Sequence, residues 1–248
     1  MTHHIDLSDY KPGDYRKKRV KPSDWLNAQF QKWCSAQEEH KRQKIAKIMV
    51  PTVCISRKIG VGALEVADHL SNMIDYKVVD RQILEHMAAD GQLSEKTVNI
   101  FDERYPGKMK EFSALLFAEK SFIKSDYARQ LAKSVIALAN LEPTIFVGRG
   151  THLVLPRENV MAVRLIGSPA YRIKRLAGIM EVSEAEAEKR MAIIDKEQRE
   201  FFKTMYNKKD AVPYEFDLVI NMDYIPEPKK VANIIACAFD EKFEDRKV

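Results

Sequence analysis

Four segments place cations, carboxylates or pliant backbone where a phosphate could sit. The first reads Ser56-Arg57-Lys58-Ile59-Gly60-Val61-Gly62-Ala63-Leu64-Glu65, between a short apolar run and a helical pattern. Glycines at such a junction let backbone N–H groups turn inward, and the helix N-terminus adds partial positive charge, which together make an anion site. A tight turn that needs glycine for its geometry alone is the other reading. The second segment, Gly148-Arg149-Gly150, sets an arginine between two glycines. Its guanidinium can grip a phosphate in bidentate fashion while the glycines allow close backbone approach. The third, Asp80-Arg81, could meet a ligand hydroxyl and its phosphate; equally, Asp80 is a helix N-cap and Arg81 a surface residue. The fourth carries Arg172 and Arg175 on one helix face, then Arg190, Asp195, Lys196 and Arg199 on a second helix. These helices read either as a cover that brings cations to phosphates or as plain solvated faces.

Short runs rich in β-branched residues at 52–55, 77–79, 144–147, 161–166 and 217–220 are the strands that must position these groups. Helical patterns separate them, such as Ile123, Tyr127, Leu131, Val135, Leu138 and, at the end, Val231, Ile234, Ile235, Ala238, Phe239. Strands alternating with helices predict an α/β fold, a parallel five-stranded sheet with helices on both faces. Ligands bind such sheets beyond the carboxyl ends of the strands, where all four segments fall. Ser168-Pro169 and Ser183 with Glu186 read as the starts of the two cover helices.

Ahead of this pattern, residues 1–22 are polar, with the basic run Arg16, Lys17, Lys18, Arg19, Lys21. Ser23 then reads as an N-cap for an amphipathic helix to about residue 48, with Leu26, Phe30 and Trp33 on its apolar side. That side must bury against the main domain or against a second copy, which makes this helix the expected homo-oligomer contact. The organisation is thus a basic arm plus helix over 1–49, and an α/β domain over 50–248 with a helical lid at about 168–210.

A net charge of +5 fits phosphorylated ligands without demanding them. Clustered aromatics for base stacking are not evident, so nucleic acid ranks last among partners. Cys34, Cys54 and Cys237 are odd in number and far apart, which argues against a disulfide framework and for a reducing compartment. No apolar run is long enough for a membrane span, and the N-terminus lacks a signal-peptide core, so a cytoplasmic protein is expected.

In their order, ISRKIGVGALEVADHL, YKVVDRQIL, FVGRGTHLVLP, RLIGSPAYRIKRL, and DKEQREFF followed by FDLVINMD resemble the cytidylate-kinase-like family of P-loop proteins over about residues 50–243. The resemblance implies a nucleoside monophosphate kinase-like phosphotransferase that uses ATP with magnesium and passes a phosphoryl group to a nucleotide or similar small acceptor. Carried over by position, Ser56, Arg57, Lys58, Gly60, Val61, Gly62, Ala63 and Leu64 wrap the donor phosphates. Asp80, Arg81 and Arg149 face the acceptor. Arg149, Arg172, Arg175 and Arg199 are the catalytic cations, with Arg190 and Asp195 in the lid; no side chain is assigned to metal. The loop departs from GxxxxGK[ST]. Ala63 stands at the lysine and Leu64 at the magnesium-binding hydroxyl, while relatives that read Gly-Gly-Arg-Glu share Glu65 alone at the end of that run. The departure motivates a second reading, a catalytically weak nucleotide- or phosphate-binding regulatory module on the same fold.

Overall fold

The computed structural model describes residues 21–40, 49–104, 109 and 125–244. The basic arm up to residue 20, the first helical pattern beyond residue 40 and Ile123 lie outside the described residues.

Five strands form one wholly parallel sheet in the order β2-β3-β1-β4-β5: β1 Thr52–Arg57, β2 Lys77–Val79, β3 Thr144–Val147, β4 Val160–Ile166 and β5 Leu218–Asn221. Strand β1 is central, with Val53 to Ile55 apolar on both faces and every residue but Arg57 buried. Its side chains alternate. Val53 and Ile55 join Ile145, Val147, Met161, Val163 and Leu165 under helices α2 (Ala63–Ile74) and α8 (Pro228–Phe243). Cys54 joins Phe146, Val160 and Ala162 on the other face. There the cover is α3 (Arg81–Ala89), α4 (Gly91–Arg104) and α5 (Asp126–Leu141). The direction of winding reverses at β1, between β3 and β4, so the crevice beyond its carboxyl end is the expected ligand position.

Helix α1 (Pro22–His40) buries Leu26, Phe30 and Trp33 in that second cluster, against α3 and α4. The Trp33 indole N–H donates to Glu142 Oε1 at 2.8 Å. The apolar side that could have met a second copy is therefore covered by the same chain. The helix opens at Pro22 rather than after Ser23, because proline at a first helical position arrives with its φ already set; the Trp25 N–H reaches Lys21 O.

Helices α6 (Pro169–Met180) and α7 (Glu184–Tyr206) form a helical hairpin at the place of the expected lid. Ser168 and Ser183 cap them as expected, accepting from the N–H groups of Tyr171 and Glu186 at 3.2 Å each. The hairpin has a small core of its own, Leu176, Ala177, Met180, Ala187, Met191 and Ile194. The far end of α7 leaves it: Met205 and Tyr206 belong to the main core. No described helix is long and apolar enough to cross a membrane.

Candidate functional site

The loop after β1 is built on two glycines with left-handed backbone, Gly60 at φ 87° and Gly62 at φ 80°. A Cβ on Gly60 would stand 3.0 Å from the Arg172 carbonyl oxygen, and one on Gly62 would stand 3.0 Å from the Arg175 guanidinium. Helix α6 thus lies directly on the loop. Val61, Ala63 and Leu64 send their side chains into the cluster under α2, so they can offer a ligand only backbone N–H groups. Lysine and hydroxyl are absent from the expected positions, and apolar packing fills the space instead.

Cations stand around the glycine turn rather than at the lysine position of the pattern. Arg175 pairs with Glu65 at 2.7 Å, and its buried Nε lacks a hydrogen-bond partner. Lys58 is half exposed and reaches Asp210 only at 3.8 Å. Arg57 lines a cavity of about 30 Å³ beyond the ends of β1 and β3. Ser56, Arg81, Gly148, Arg149, Gly150, Gln198, Phe201 and Phe202 complete its wall.

Arg149 dominates this cavity. Its φ is 54°, and it lies between Gly148 at 91° and Gly150 at 65°, so three successive residues hold left-handed backbone. For a non-glycine residue that is a strained conformation, of the kind found at ligand clamps. Tyr206 locks the turn: its hydroxyl donates to the Arg149 carbonyl, and its ring occupies the space a Cβ on Gly150 would need, 2.6 Å away. The guanidinium sits 3.9 Å from the centre of the Phe201 ring and pairs with Glu85. Burial, together with Arg81 and Arg57 alongside, pushes Arg149 down to about 9. A cluster in which charge is penalised this way favours an anion.

Arg81 donates from Nε to Glu85 at 2.8 Å. Burial lowers its pKa as well, while Glu197 and Tyr127 act to raise it. Asp80 is buried, and its Oδ1 accepts from the Ile83 N–H at 3.1 Å, so it starts α3 as an N-cap. Arg172 is buried: its Nε donates to the Ile59 carbonyl at 2.6 Å and its Nη2 to Asp195 at 2.6 Å. Arg190 binds Glu186 one turn earlier on its own helix, and Arg199 is exposed. The structure brings Arg57, Arg81 and Arg149 together and sets Arg175 on the loop. It does not bring Arg190 or Arg199 to the cavity.

Sequence reasoning passed over Arg164, in the middle of β4 and buried. It donates to Ser56 Oγ at 2.8 Å and to Asp210 at 3.0 Å, joining the start of the loop to the chain returning from the lid. The signal was there, an arginine inside the apolar run MAVRLI. Glu85, four residues after Arg81, and the Phe201-Phe202 pair were likewise legible as spacing but not as partners.

The fit of a magnesium ion is limited. Leu64 supplies no oxygen, Glu65 is paired, and no group of three or more His, Cys, Asp or Glu among the described residues could hold a metal. A magnesium ion would have to be held mainly by the phosphates that accompany it.

A sequence model described as the cytidylate kinase-like family matches residues 52–224. No curated protein matches the sequence. Among solved structures, a protein of Eubacterium ventriosum ATCC 27560 described as uncharacterized is 20% identical with a TM-score of 0.59, covering 78% of this chain and 99% of its own. Shikimate kinase from Bacteroides thetaiotaomicron is 14% identical, TM-score 0.42, over 78% of this chain and 98% of its own. A gluconokinase from Sinorhizobium meliloti 1021 is 12% identical, TM-score 0.43, over 82% of this chain and 100% of its own. At these identities the first likeness speaks to the fold, and the latter two carry no argument.

Proposed function

We propose that this chain, which belongs to the cytidylate kinase-like family, is a phosphotransferase of the nucleoside monophosphate kinase type acting from ATP on a nucleotide or similar small phosphorylated acceptor. The observation that carries this is the convergence of Arg57, Arg81 and Arg149 on one cavity beside the Gly60–Gly62 turn. Phosphoryl transfer asks little covalent chemistry of a protein and much positioning of positive charge. The backbone N–H groups of residues 56–64 hold the donor phosphates, with Arg175 over them. Arg81 and Arg149 hold the acceptor's anionic group. A magnesium ion would be held chiefly by the donor phosphates, since Leu64 offers it no oxygen, and would supply positive charge to them.

The cavity now has room for little more than water, because Gln198, Phe201 and Phe202 of α7 close it. An acceptor therefore enters only when the Gln198, Phe201 and Phe202 side chains swing aside while Met205 and Tyr206 stay in the core, and their return excludes water from the transferred group.

The second reading, a phosphate- or nucleotide-binding regulatory module, draws on the apolar commitment of Val61, Ala63 and Leu64. A panel of ATP and magnesium with each nucleoside monophosphate, followed by ADP formation, separates the two. Turnover with one acceptor supports the phosphotransferase. Thermal stabilisation by nucleotide with no turnover on any acceptor supports the module.

A further inference from the structure

The loop after β1 carries neither the lysine nor the hydroxyl of its pattern, so its hold on an anion rests on where its backbone N–H groups point. One buried contact bears directly on that direction. Arg172 Nε donates to the carbonyl of Ile59 at 2.6 Å from the helix side of the loop. In a planar trans peptide the carbonyl of one residue and the N–H of the next point opposite ways. Holding the Ile59 carbonyl toward Arg172 therefore fixes the direction of the Gly60 N–H, which points away from that side chain.

Two further observations show that this peptide is gripped rather than merely touched. Gly60 has φ 87°, and a Cβ there would meet the Arg172 carbonyl oxygen, the Leu176 Cγ and the Arg172 Cβ at 3.0–3.2 Å. The Ile59 side chain, 2% exposed, is sunk in the lid's own core with Leu176, Met180, Met191 and Ile194. Nη2 of Arg172 donates to Asp195 on α7 at 2.6 Å. Its guanidinium is thus committed to a carbonyl and a carboxylate, and a group so committed is poorly placed to bind a phosphate as well.

We infer that Arg172 is a positioning residue that aims the Gly60 N–H at the donor phosphate and couples the loop to the lid through Asp195, in place of the direct phosphate contact that its position suggests. The inference rests on the proposed phosphate-binding role of the loop.

Amide hydrogen exchange and ADP titration calorimetry on the full chain, for the unaltered protein, Arg172→Met, Arg172→Lys and Asp195→Asn, test it. In Arg172→Met, exchange at residues 58–62 should speed about tenfold or more, the loss of one charge-assisted hydrogen bond, with β3 unchanged. ADP affinity should fall by a similar factor. Arg172→Lys, which keeps one donor, should recover part of both. Asp195→Asn, which weakens the hold on Nη2 of Arg172 but leaves its Nε donor to Ile59, should speed loop exchange and lower ADP affinity by clearly less than Arg172→Met. Unchanged loop exchange in Arg172→Met would overturn the inference. So would an Asp195→Asn loss of ADP affinity as large as that of Arg172→Met, since general lid cohesion would then be the cause. Failure of the unaltered protein to bind ADP would sink the phosphate-binding reading and, with it, the inferred aim toward a donor, while the exchange results would still decide whether Arg172 sets the loop.

Discussion

Arg149 joins backbone strain to electrostatic strain at one residue. It holds φ 54° without being glycine, and burial beside Arg81 and Arg57 pushes its guanidinium down to about 9. The sign follows directly: a base whose pKa falls on folding makes its charged form a burden on the native state, and a bound anion relieves that burden. Inorganic phosphate or sulfate should therefore raise the melting temperature more than chloride at matched ionic strength, and Arg149→Ala should lose most of that difference. In a coupled assay of ADP formation, the same variant should lower turnover about a hundredfold, the usual cost of removing one transition-state cation; an unchanged rate would remove Arg149 from the site. Gly60→Ala asks a different question of the loop. Left-handed backbone together with a Cβ 3.0 Å from a carbonyl oxygen should cost about 1–3 kcal/mol in denaturant unfolding. Glycine spacing made both positions legible in the sequence. The cap at Asp80 was legible too, as a local i to i+3 pattern; Arg172 as a strut and Arg164 on Ser56 were not, because they depend on distances between elements that no local pattern encodes.

At the scale of elements, all five strands lay open in the sequence because each is a short β-branched run flanked by helical periodicity. The parallel order follows from that alternation with little else needed. What the pattern left undecided was the partner of each amphipathic face. Helix α1 shows why: Leu26, Phe30 and Trp33 demand burial, but periodicity does not say against which surface. The structure answers with α3 and α4 of the same chain, and a hydrogen bond from the Trp33 indole to Glu142, 109 residues away, fixes the register. Trp33 is 2% exposed, so Trp33→Ala should cost about 3–5 kcal/mol and shift the urea midpoint accordingly. An unchanged midpoint would mean that α1 is not part of the folded core. Helix α7 carries the opposite lesson. Its charge density suggested a cover bringing cations to phosphates or a plain solvated face, yet Met205 and Tyr206 root its end in the main core, and Tyr206 binds the Arg149 turn. The hairpin is therefore anchored at the Arg149 turn as well as through α6. That is why Phe201 and Phe202, rather than Arg190 or Arg199, close the cavity.

At the scale of the whole molecule, groups among the described residues with pKa shifts of opposite effect shape the response of stability to acid. His152 is buried, and desolvation lowers its pKa in spite of a contact to Glu215 at 3.3 Å. The unfolded chain takes up that proton near pH 6.5 while the native state resists, so this group removes stability as pH falls below about 6.5. Burial alone would raise Glu215, but hydrogen bonds from His152 and Lys208 hold it below the usual carboxylate range. Hydrogen bonds from Arg157 and Lys242 do the same for Asp217. Both carboxylates therefore contribute stability that is present above the unfolded value and lost as pH falls through the lowered one. Asp68 works against His152: burial raises it to about 6, so its charged form weighs on the native state, and protonation near pH 6 returns stability. Between about pH 6.5 and 4.5 the unaltered protein should then show a shallow slope, a partial cancellation of His152 by Asp68, followed by a steeper loss at lower pH as Glu215 and Asp217 are protonated. His152→Gln keeps an amide that can donate to Glu215 and removes the titration. It should turn the shallow window into a gain of stability on acidification, whereas Asp68→Asn should turn it into a clear loss. Thermal melts at half-unit steps of pH read both; the same slope in the two variants would show that neither group governs the window.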